Sequence, residues 1–383
     1  MTRGPVAGGP VTGSPVAGGP ATGRELDPRA LGRALLARQH LLERTDLAPA
    51  ELVRHLVGLQ AQAAPEPPYL GLLSRLDGFR PEQLSRLIED REVVRIGLQR
   101  GTIHLVTAED CLALRPLLQP VLDRGLAGNW AKRLPGVDLD AVAAAARELV
   151  EQQPLTFQLL GALLAERFPA GDPAALAQVA RARLPLVQVP PRGIWGRSGP
   201  AAHTTAEHWL GRPLDREPSL DALVLRYLAA FGPATAADVG KWSGLTGLGP
   251  VLARLAPDLV LFRDGRGRTL YDLPHAPRPD RSVPAPVRLL APFDNLLLSH
   301  ADRGRVLPEE YRPRIMTVNG IVLGALLLDG LVAGSWRIDG GVLRVLAFGR
   351  PGRAELAGIE AEGARVLAFT GDQGGRVAVE QDA

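Results

Sequence analysis

Lysine is almost missing from this chain of 383 residues: Lys132 and Lys241 stand alone, and the rest of the 44 basic residues are arginine. An enzyme that works through a lysine Schiff base therefore has few side chains to use. Cysteine is scarcer still. The single Cys111 excludes disulfides and any Cys-based metal cluster. Long apolar runs are also lacking, since the longest, "IVLGALLLDGLVAG", is cut by Asp329 and is too short to span a bilayer. The opening "MTRGPVAGGP" has no apolar segment of the kind a secretory signal needs. These absences predict a cytoplasmic protein with no membrane partner. No P-loop, GxSxG elbow, HExxH helix or Gly-rich dinucleotide loop occurs. His203 and His208 in "HTTAEHW" lack a third ligand nearby, so neither a metal nor a cofactor is expected.

Charge of one sign is not in large excess, with 44 basic against 41 acidic residues. The total alone does not announce nucleic acid. Arginine does bring a planar fork suited to phosphates and guanine edges. A GC-rich genome, which favours arginine codons, explains the same bias.

What is present is enough apolar material, 46% of residues, for a sizeable core in two to four units. "GPVAGGPVTG" recurs as "SPVAGGPATG", and this Gly/Pro-rich repeat predicts a disordered tail over 1–23. Then one pattern, helices followed by a β-hairpin, recurs three times and reads as a winged helix each time. The first unit, 24–135, has helices in "DPRALGRALLARQHLLER", "APAELVRHLVGLQAQ" and "RPEQLSRLIED". Its wing, "EVVRIGLQRGTIHLVT", turns at Gln99-Arg100-Gly101, and Thr107 with Asp110 launches the next helix. The second unit, 136–215, ends in the wing "PLVQVPPRGIWGR". The third, 216–285, has a wing turning at Asp264-Gly265. Beyond a Pro-rich linker, 286–383 is β-rich, with turns at Asp329-Gly330 and Asp339-Gly340 and a helix in "PGRAELAGIEAEGA". That pattern predicts a small C-terminal β-barrel. Trp336 reads as part of its core rather than as a stacking wedge.

The stretch "LVGLQAQAAPEPPY" places Gln60 and Gln62 where an apolar helix should end. On a helix, side chains at i and i+2 point about 200° apart, so both amides face one substrate only if the last turn unwinds. The prolines that follow favour such an ending. A polar helix end whose amides satisfy free carbonyls accounts for the pair equally simply.

Several stretches resemble the AlkZ/YcaQ-type bacterial winged-helix DNA glycosylases: "GLQAQ", "RGTIHLVTAED", "EHWLG", "FGPATAADVGKWSGL", "LLAPFDNLLLSHADRGRVL" and "NGIVLGALLLDGLVAGSWR". The resemblance covers nearly everything from about residue 26 onward. Gln60-Ala61-Gln62 matches the Gln–apolar–Gln motif of the AlkZ-like branch, whereas the YcaQ branch has Asp at the second position. The resemblance implies an α+β fold of three tandem winged helices and a C-terminal β-barrel around a concave DNA channel. It implies Gln60 and Gln62 as catalytic residues and double-stranded DNA carrying alkylated purines as partner, bound by a monomer.

The implied chemistry makes sense of neutral residues. Alkylation at guanine N7 charges the base, so its departure needs no general acid. The sugar left behind has oxocarbenium character and needs a placed water with electrostatic support. Two carboxamides can orient that water. With lysine so scarce, monofunctional hydrolysis is expected. The resemblance to the AlkZ-like branch implies N7-alkylated or bulky purine adducts as substrates, extending to interstrand crosslinks, and self-resistance to a genotoxic natural product. For DNA contacts, the candidates are Arg100 and His104 on the first wing, and His300, Arg303 and Arg305 in "SHADRGR". Asp302 could instead pair with a neighbouring arginine. The winged helices alone would equally suit a non-catalytic DNA-binding regulator.

Overall fold

The computed structural model describes residues 23–62, 66–372 and 374–382. The decapeptide repeat thus lies outside the described residues, apart from Gly23. The chain is a mixed α+β structure whose helices start at the signals in its sequence. Asp27 accepts from the Ala30 amide ahead of the helix Pro28–Arg38. Thr107 Oγ1 accepts from the Asp110 amide at 3.2 Å and starts the helix Ala108–Leu117. Thr235 and Asp238 cap each other's backbone at the head of the helix Ala236–Ser243. Each cap satisfies amides that a helix cannot bond internally.

Three sheets organise the rest. In the smallest, β1 (Arg24–Leu26) runs parallel to β8 (Val260–Asp264), which pairs antiparallel with β9 (Thr269–Asp272). The hairpin expected around Asp264 is present, and Asp264 Oδ1 accepts from the amides of Arg266 and Arg268 inside its turn. The largest sheet contains β2 (Leu59–Gln60), β3 (Val93–Gly97), β4 (Ile103–Thr107), β5 (Leu155–Thr156), β6 (Leu186–Gln188) and β7 (Ala202–Thr205). Its order is β2-β4-β3-β6-β7-β5, so the hairpins of the first and second units share one ladder through the β3–β6 pairing.

The C-terminal sheet joins β10 (Arg288–Leu290), β11 (Gly324–Leu328), β12 (Leu331–Asp339), β13 (Val342–Ala347) and β14 (Arg376–Gln381), in that order. The barrel expected there is corrected: β10 and β14 remain edges, and the described residues form no closed barrel. The reason lies in the connection between the last strands. The helix Arg353–Thr370 is the crossover that lets β14 join β13 in parallel, and it packs against both edge strands. Gly363 lets it approach β14 closely, because a Cβ there would lie 2.6 Å from Val377 Cγ2. Trp336 is core, donating from Nε1 to Leu290 O at 2.8 Å.

Apolar packing crosses the expected unit boundaries. One core centres on the second helical unit, around Val142, Leu160, Leu176 and Val179, and takes in Leu122 and Leu126 of the first. Another joins the first unit to the C-terminal sheet, and the largest joins the first helix, the wing strands and the third unit. Two fully buried bidentate ion pairs pin these joints. Arg38 binds Asp272 at 2.6 and 2.8 Å, and Arg75 binds Asp294 with both bonds at 2.8 Å.

Candidate active site

Gln60 does not close a helix. The helix Pro49–His55 stops early, and the backbone turns through Val57 and Gly58 at φ 54° and 95°. At Gly58 a Cβ would lie 2.6 Å from Val106 Cγ1 and 3.1 Å from Leu105 O, so only glycine lets the chain pass this close to β4. The carbonyls freed by the turn are taken by side-chain amides. Gln99 Nε2 donates to Val57 O and Asn295 Nδ2 to Gly58 O, both at 3.0 Å. The chain then enters β2, where Gln60 sits opposite His104, and the Ala61 amide still bonds Ile103 O at 2.7 Å.

The expected helical setting of the glutamines is therefore corrected to an extended one. Extended backbone does not impose the opposed directions of helical i and i+2. Gln60 is 7 % exposed, while Gln62, at a bend just beyond the strand, is open to solvent. Pro67 and Pro68 do not only interrupt the chain; they stand in the first turn of the helix Glu66–Leu73, where their missing amides cost nothing.

Arg100 organises the site. It sits in the β3–β4 turn in a left-handed conformation, φ 56°. Its Nη2 donates to Gln60 Oε1 at 2.7 Å, and Nη1 donates to Trp242 O at 2.6 Å. Nη2 also lies 3.3 Å from both Asn295 Oδ1 and His104 Nε2. His104 Nδ1 bonds Thr102 O at 3.1 Å, and a carbonyl only accepts, so the ring carries its proton on Nδ1 and offers Nε2 as acceptor. Burial, then the Arg100 charge, pulls the His104 pKa down to about 3. The ring is neutral at any working pH. Burial and the nearby Arg303 lower Arg100 to about 10, which leaves it a cation. Behind the glutamines, Arg95 joins two units: Nη2 donates to Ala61 O at 2.9 Å and Nε to Gln188 Oε1 at 3.1 Å.

Most of the expected DNA contacts lie elsewhere than on an open surface. Arg100 is half-buried with its donors committed to the protein, and His104 is fully buried. His300 is also buried, its Nε2 donating to Phe231 O at 3.0 Å. Arg305 donates to Pro233 O at 2.8 Å from the interior. His300 and Arg305 of "SHADRGR" are thus not presented to solvent. The Ala301 amide bonds Asp238 Oδ1 at 2.9 Å, and His300 and Arg305 are buried while Ala301 and Gly304 stay exposed. Asp302 pairs with arginines of the β8–β9 hairpin, Arg266 at 3.2 Å and Arg268 at 2.8 Å. Arg303, like Arg100, is half-buried. His203 stacks on Phe157 with ring centroids 4.0 Å apart. Among the described residues, no three His, Cys, Asp or Glu side chains are placed to hold a metal.

Sequence reasoning did not find Asn295 or Arg95. The signal for Asn295 was an amide inside "APFDNLLLS", since a polar group in an apolar run must find partners when buried.

Residues 53–369 match the family described as "DNA glycosylase AlkZ-like". The chain belongs to that family. This AlkZ-like DNA glycosylase is 26% identical over 359 residues to an interstrand DNA cross-link repair glycosylase of Streptomyces sahachiroi, covering 88% of this chain and 94% of the relative. The solved structure of the Streptomyces sahachiroi DNA glycosylase AlkZ has the same fold, with a TM-score of 0.76 at 22% identity, covering 94% of this chain and all of that one. The resemblance carried by the quoted stretches is confirmed, and the non-catalytic regulator is set aside for this AlkZ-like enzyme. No helix among its described residues is long and apolar enough to cross a membrane.

Proposed function

We propose that this glycosylase is monofunctional and hydrolyses the N-glycosidic bond of N7-alkylated or bulky purine adducts, unhooking interstrand crosslinks in self-resistance to a genotoxic natural product. One observation carries this reading: a neutral Gln60, fixed by Arg100, stands beside a solvent-exposed Gln62. In the step itself the C1′–N9 bond breaks and its electron pair goes to the cationic base. Water oxygen bonds C1′, and its proton leaves to solvent. Gln62 is open to a water, and its carbonyl can accept from that water. Arg100 cannot aid the reaction through its charge, since a cation beside an oxocarbenium centre raises its energy. It acts by holding Gln60.

The helix–hairpin units are read as winged helices lining a DNA channel in a cytoplasmic monomer. The relative named as a cross-link repair glycosylase, of nearly equal length, supports the crosslink as a substrate. The test is purified protein on a duplex carrying 7-methylguanine, with alkali added afterwards to cleave abasic sites. Base release with no strand break before alkali is expected. Binding without release from any N7-alkylated duplex overturns the proposal.

A further inference from the structure

Arg100 has neighbours of its own sign. Lys241, one of two lysines in the chain, is exposed on the helix Ala236–Ser243, next to the Trp242 carbonyl that Arg100 binds. That helix end abuts the Arg100 turn, for a Cβ on Gly244 would lie 3.3 Å from the Arg100 backbone. Arg303 follows the segment that ties Asp238, at the other end of the same helix, to Ala301. Trp242 shares its helix with Lys241, and Asn295 and Arg303 both lie in the connection between β10 and β11. The electrostatics agree with this gathering. Burial and then the charges of Arg303, Arg100 and Arg312 lower the Lys241 pKa. Burial and then Arg312 lower that of Arg303, whose Nε is buried with no partner among the described residues. The carboxylate felt by Arg303 is Glu309, which is exposed and bonds Arg312 at 2.9 Å.

Like charges left together without carboxylates between them are costly unless an anion joins them. At this site the cost is also kinetic, because the reaction passes through a positive sugar. Each phosphodiester beside the lesion carries the charge that would cancel both effects.

We infer that Lys241 and Arg303 form a clamp for a backbone phosphodiester next to the damaged nucleotide, set against the rear wall made by Arg100. The inference rests on the glycosylase reading for its substrate, but binding tests it separately. The clamp neutralises the site when DNA arrives and fixes the sugar relative to Gln60. It also gives Lys241 a role that needs its charge and not its nucleophilicity.

The experiment is binding of the full-length protein to an undamaged duplex between roughly 50 and 300 mM salt, followed by fluorescence anisotropy. Lys241→Ala and Arg303→Ala should each reduce the slope of log affinity against log salt by about 1. Lys241→Arg should restore the slope and still release base, and borohydride should trap no protein–DNA adduct in the wild type. A wild-type slope in Lys241→Ala, with only a lower melting temperature, overturns the clamp in favour of a cation serving the helix C-terminus. Borohydride trapping that Lys241→Arg abolishes overturns it in favour of an amine nucleophile. Reduced slopes in a protein that releases no base uphold the clamp and sink the proposed reaction instead.

Discussion

Arg100 Nη2 donates to Gln60 Oε1 at 2.7 Å, so the more buried of the two glutamines presents an amide already oriented by a cation. With Oε1 engaged, Gln60 offers its Nε2 hydrogens, while Gln62 keeps an unconstrained amide in solvent. The two residues are not equivalent. In the proposed reaction Gln60 is suited to donate, and Gln62 to accept from the attacking water.

Replacing either glutamine with alanine should leave duplex affinity and its salt slope nearly intact, since neither carries charge. Single-turnover base release at saturating protein should slow by about 10²–10³-fold, the usual effect of losing one oriented dipole. A double variant that excises at the wild-type rate would remove the amides from the mechanism.

Arg100→Met keeps the aliphatic stem and removes the donors. Gln60, Trp242 and Asn295 then lose a partner, which should cost about 1–3 kcal/mol of stability. Excision should fall by up to about 10²-fold through misplacement of Gln60. The salt slope should not move, because Arg100 spends its donors on protein acceptors. A lower slope with an unchanged rate would make Arg100 a phosphate contact after all.

Asp294→Asn should cost about 3–5 kcal/mol in urea unfolding, since it leaves Arg75 charged in a fully buried setting. Asn295 follows directly and holds both Gly58 O and Arg100, so excision should fall as well. A loss under about 1 kcal/mol would mean that water reaches Arg75.

Stability should fall with pH in mild acid. His104 and His300 are pulled down to about 3 and His203 to about 4, in each case chiefly by burial. Below pH 6.5 the unfolded chain protonates these rings and the folded chain does not, so it binds more protons and stability drops as pH drops. Each ring contributes up to about 1.4 kcal/mol per pH unit, until pH reaches its folded value. Urea midpoints at pH 7.0 and 5.5 measure this, and equal midpoints would refute it.

Much of the architecture was legible locally. Thr107 with Asp110 marks a helix start, Gln99-Arg100-Gly101 marks the first hairpin turn, and Asp264-Gly265 the third. The illegible parts are non-local. Nothing near Arg95 announces that β3 will pair with β6, some ninety residues later. Nor does anything near Arg24 announce a parallel partner in β8. Gln60 was found by its motif but assigned to a helix, because the apolar period runs on past the point where Gly58 must turn beneath Val106. The burial of His300 and Arg305 is non-local as well, since their partners are the Phe231 and Pro233 carbonyls some seventy residues away.

The ladder from β2 to β5 has a mechanical consequence. The glutamines stand at one edge, and the second unit continues the same row of hydrogen bonds through β3 and β6, with Arg95 fastened across both. The first two units therefore cannot swing apart like jaws without tearing sheet pairing. Under the proposed reaction on bulky adducts, a large lesion would meet two units that stay together, and the bending needed to seat it would fall on the duplex. Damaged DNA that is already kinked or locally melted would arrive with that work done, so duplex flexibility itself would become a basis for choosing substrates.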